Sequence, residues 1–63
     1  MNRINQMIDM YATIAAMCFY HAGVFARGGY IDQAAEMTDR MLEARRQLKT
    51  WFKISRAIRG WQL

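Results

Sequence analysis

The chain contains no proline, and its one strong interruption is the pair Gly28-Gly29. Proline breaks a helix interior, whereas glycine is favoured just past a helix end. The chain can therefore run as two long helices joined at a single sharp turn. Arg27 stands where a cation suits the negative end of a helix dipole. Everything else about the fold depends on whether both arms have helical periodicity.

They do. Before the glycines, Ile4, Ile8, Tyr11, Ala15, Cys18, Ala22 and Phe25 step by four and three, which places them on one helix face. A second stripe runs beside it: Met7, Met10, Ile14, Met17, His21 and Val24. After the glycines, Tyr30, Ala34, Met37, Met41, Ala44, Leu48, Trp51, Ser55 and Ile58 keep the same step. The spacing predicts a first helix over about 3–27 and a second over about 31–59, stopping at Gly60. Charge order agrees, with Asp32, Glu36, Asp39 and Glu43 early in the second helix and Arg45, Arg46, Lys49, Lys53, Arg56 and Arg59 late. Glu36 and Arg40 form an i,i+4 pair of the better orientation.

A short loop makes the two helices antiparallel. Pairing them from the turn outward sets Met7 against Trp51, His21 near Glu36, and Asp9 toward Arg45 or Lys49. Ile58 and Trp61 then run past the end of the first helix. The expected fold is an all-α antiparallel helical hairpin forming one domain over 1–63.

A chain of 63 residues buries only about 60% of its unfolded surface, so its core is marginal. One cysteine allows no internal disulfide, and one histidine gives poor support for a metal. Two apolar stripes on the first helix exceed what one partner helix covers. Both points predict a homodimer closing into a four-helix bundle. In length and plan this resembles the Rop-type hairpins of plasmid copy-number control, with no shared motif.

Catalysis needs a nucleophile or an acid–base pair within hydrogen-bond reach. Asp9 and His21 lie about 18 Å apart along one helix, so no enzyme is expected. Cys18 and His21 share an i,i+3 spacing that could supply half of a metal site across a dimer. A buried thiol acting as a small hydrophobe is the plainer reading, and no metal or cofactor is expected. The uncharged run Met10 to Tyr20 is about half the ~20 residues of a membrane span, so no span is expected. The lone cysteine and the lack of a leader pattern suggest a cytoplasmic setting.

The end of the chain, RRQLKTWFKISRAIRGWQL, holds six basic residues, no acidic one and three aromatics. Within it, RQLKTWFKISR resembles the third helix of a homeodomain through Gln47, Lys49, Trp51, Phe52 and Arg56. It departs from that family at Ile54, where the adenine-reading asparagine should stand. GVFARGGYIDQAAEM is similar in flavour to a tetratricopeptide repeat, but Gln33 falls where that family has alanine. The basic end suits three partners: phosphates, a membrane surface, or a protein that meets interleaved tryptophan and arginine. The protein partner is the leading expectation and nucleic acid the alternative. Arg46, Lys49, Lys53, Arg56, Ile58, Arg59 and Trp61 are the candidate contact residues, with the methionine-rich stripe as a second adaptable face. Compact hairpins of this kind serve as regulators or inhibitors, often in phage or plasmid genomes, an analogy from fold class alone.

Overall fold

The computed structural model describes residues 3–61, with the backbone alone for Trp61. Two helices, α1 (Arg3–Arg27) and α2 (Ile31–Trp61), pack against each other as a hairpin. At 1.5 Å per residue they are about 37 and 46 Å long, in a molecule measuring 52 × 18 × 11 Å.

The turn is set by the two glycines. Gly29 takes φ +84°, the left-handed conformation that side chains resist. The amide of Tyr30 donates to the Phe25 carbonyl at 2.8 Å, and that of Gly29 to the Ala26 carbonyl at 3.2 Å. These are the two bonds of a Schellman closure, with Gly29 at the position just beyond the cap. The accompanying apolar contact is present too: the Phe25 and Tyr30 rings meet edge to face, 6.3 Å between centroids. Tyr30 also opens α2, because its carbonyl accepts from the Ala34 amide at 3.0 Å. One residue thus closes the first helix and begins the second, which fixes the reversal.

The first apolar stripe of α1 is the one turned to α2. Ile4, Ile8, Tyr11, Ala15, Cys18, Ala22 and Phe25 are all partly buried, and Met7 joins them. On α2 the matching stripe is Ala34, Met37, Met41, Ala44, Leu48, Trp51, Ser55 and Ile58. Ala44 is the one fully buried residue among those described, 4% exposed. Alanine at mid-seam, with no side chain beyond Cβ, lets the two backbones approach.

Four expectations change. Helix α2 does not stop at Gly60 but continues to Trp61. Gly60 does not take the left-handed conformation that ends a helix, and Gly29 alone does so. Ile58, expected to stand uncovered past the end of α1, is partly buried. His21 is exposed, with its ring 5.7 Å from that of Tyr20, while Glu36 pairs with Arg40 at 2.7 Å. Among the described residues, no ion pair joins Asp9 to Arg45 or Lys49. Each of these side chains lies on a solvated face, where water competes with a cross-helix ion pair.

Candidate interaction faces

Helix α2 carries the basic face. Arg45, Lys49, Lys53, Arg56 and Arg59 are exposed and make no ion pair among the described residues. Arg46 differs, because its guanidinium meets the Glu43 carboxylate at 2.7 Å. Glu43 also accepts from the Gln47 amide at 3.3 Å. The Arg46–Glu43 pair is held on solvent-exposed side chains, so it contributes little to stability. It does spend one cation of the expected contact set on a neighbour.

Two apolar side chains stand within the basic face. Leu42 and Phe52 are 48% and 46% exposed. With Arg45, Arg46, Leu48 and Lys49 they line a shallow, open groove on α2. Leu42, Arg45, Lys49, Phe52, Arg56 and Arg59 step by three and four, so they form one continuous stripe. The same spacing was readable in the sequence.

The candidate contact residues therefore divide. Lys49, Lys53, Arg56 and Arg59 lie exposed on α2; Arg46 is exposed but paired; Ile58 is partly buried. The Trp61 side chain lies outside the described residues. Leu42, Arg45 and Phe52 are the members that sequence reasoning missed.

Helix α1 carries an exposed face of different character. Met10, Ile14, Met17 and Val24 are exposed beside His21, and no charged residue lies between Asp9 and Arg27. Around the helix from them, Phe19 and Tyr20 are exposed over Gly23, which has open space above its Cα. By length and composition α1 could cross a membrane, since an 18-residue window has mean hydropathy 1.2 and none of it is buried. That exceeds the Met10 to Tyr20 run considered from sequence. The same composition suits the central helix of a bundle. Cys18 is partly buried on the seam and His21 exposed on the next stripe. Among the described residues, no three metal-binding side chains come together.

No protein-family model matches the chain, and neither does any curated protein or solved structure. The class is that of a two-helix hairpin.

Proposed function

We propose that this is a small non-enzymatic interaction protein of the cytoplasm, a regulator or inhibitor. In this reading it works as a dimeric hairpin and binds a protein partner through the basic–aromatic face of α2. The observation that carries the proposal is the stripe in which Leu42 and Phe52 are exposed among Arg45, Lys49, Arg56 and Arg59. Exposed aromatic groups beside arginine are what protein interfaces use as anchors. A face devoted to phosphates needs cations and gains nothing from a bare leucine.

Nucleic acid is the second reading, favoured by the five exposed cations that make no ion pair among the described residues. Salt separates the two. Several neutralised phosphates cost orders of magnitude in affinity between 50 and 200 mM salt. Binding to generic duplex DNA and RNA is measured at both concentrations, for the native chain and for Phe52→Ala and Lys49→Gln. The protein-partner reading expects weak nucleic-acid binding that collapses at 200 mM and does not respond to Phe52→Ala. Tight, sequence-selective binding at 200 mM overturns it.

A further inference from the structure

A 7.4 kDa folded monomer is expected to expose about 4,200 Å². This chain exposes 5176 Å², roughly 1,000 Å² more, against about 800 Å² that each partner contributes to a stable interface. The excess follows from the shape, since two helices side by side leave most of each cylinder uncovered. Part of it is apolar and uncharged: Met10 at 42%, Ile14 at 38%, Met17 at 54% and Val24 at 42% exposed, all on the second stripe of α1.

We infer that a second copy of this chain covers that stripe, its α1 antiparallel to the first, with the two-fold axis passing close to Met17. The inference rests on the dimeric reading above and locates its interface. The stripe is self-complementary about Met17. Met10 lies seven residues before it and Val24 seven after; Ile14 lies three before and His21 four after. Antiparallel pairing sets Met17 on its own equivalent, Met10 on Val24 of the second copy, and Ile14 beside its His21. No charge is buried anywhere along that line. Methionine and isoleucine at the centre suit an interface made of two identical surfaces, because the thioether repacks around its own copy.

Charges at the ends select the antiparallel direction. Parallel helices bring Arg27 level with Arg27 and Asp9 level with Asp9. Antiparallel pairing about Met17 brings Arg27 of one copy within two residues, about 3 Å along the axis, of the level of Asp9 of the other. Opposite charges then share each end of the interface, and the two α1 dipoles oppose.

A lipid bilayer is the competing cover for a neutral helix. Helix α2 argues against it, because it is packed along the other stripe of α1 and carries its arginines and lysines with it. Immersing α1 as a span would draw those cations toward hydrocarbon, where an unpaired charge is costly.

The arrangement has a consequence for the basic face. A right-handed helix seen from its start advances clockwise, and its antiparallel neighbour counter-clockwise. With the packed stripes turned inward, Met10, Ile14 and Met17 flank the seam on one side of the hairpin. Arg45, Lys49 and Arg56 flank it on the other. Pairing through α1 therefore leaves two basic faces pointing away from each other, so the dimer is bivalent.

Sedimentation equilibrium of the full chain at micromolar concentration should give about twice the monomer mass. Met17→Asp sets two carboxylates against each other and should raise the dimer Kd at least about 100-fold. Circular dichroism at the same concentrations reports whether the helices persist. Should Met17→Asp unfold, Met17→Cys in a Cys18→Ala chain keeps the question open to test. A short bis-maleimide should link that variant into dimers but leave Phe19→Cys, on the far side of α1, unlinked. A native dimer in which Met17→Asp changes nothing and Met17→Cys fails to link refutes this interface while sparing the dimeric reading. A native chain that is monomeric in solution overturns both, and if it also partitions onto phosphatidylcholine vesicles, the bilayer is the cover.

Discussion

Helix α1 carries two mainly apolar stripes with the same helical step. One of them, Ile4 through Phe25, is partly buried along its whole length. The other, through Met10, Ile14, Met17 and Val24, is open to solvent. Periodicity alone does not separate them, because both satisfy the helical rule. What separates them is that a single neighbouring helix covers an arc of about one stripe. Hydrophobic patterning thus states how much surface asks for cover, while the number of neighbours states how much receives it. The open stripe is the larger clue to what the protein does, since it is the part of the pattern that the chain does not satisfy by itself.

The largest test of that contrast is Trp51→Ala, which removes the biggest side chain from the covered seam. A fully buried ring costs 3–5 kcal/mol, and a partly buried one about 2–3. Melting should fall by more than about 10 °C, by the scaling for a chain of this size, and by the same amount at every protein concentration. A much smaller loss would mean that the seam is not what holds the hairpin together.

Gly29→Ala acts on the turn that aligns both stripes. Its φ of +84° costs an L side chain about 1–2 kcal/mol, although there is open space around the added Cβ. Urea unfolding should show the midpoint moving with an unchanged slope.

Ile14→Ala probes the open stripe. It should cost about 1 kcal/mol, and the loss should grow with protein concentration, because the cover comes from a second chain. A loss independent of concentration would place the cover of Ile14 within the hairpin and erase the distinction between the stripes.

Glu36→Gln should have the smallest effect, below about 0.5 kcal/mol, because the pair with Arg40 is exposed on both sides. Raising salt should shrink even that difference between the variant and the native chain in thermal melts.

Much of this architecture is local and was legible in the residues. The absence of proline, the glycine pair and the three–four step determine two helices and one reversal. The bonds that close the turn, Gly28 to Val24, Gly29 to Ala26 and Tyr30 to Phe25, each span six residues or fewer, so no distant contact has to be known. The packed stripe of α2, from Ala34 to Ile58, was also readable, and on α1 both stripes were readable as candidates for cover.

Other features were decided only by packing. Gly60 reads as a stop in the sequence, yet the helix runs through it, because glycine ends a helix only where the chain turns left-handed. His21 and Asp9 have plausible partners by register, but register gives the level along an axis and not the direction a side chain takes around it. The groove through Leu42 and Phe52 emerged for the same reason: both residues follow a helical step, and only the seam's orientation shows that their stripe faces solvent. The sequence by itself determined the helices, the turn and the amount of apolar surface, because those follow from backbone preference and periodicity within a few residues. The tertiary structure decided which of two equivalent stripes is covered and which is left open, because that depends on where the second helix lies.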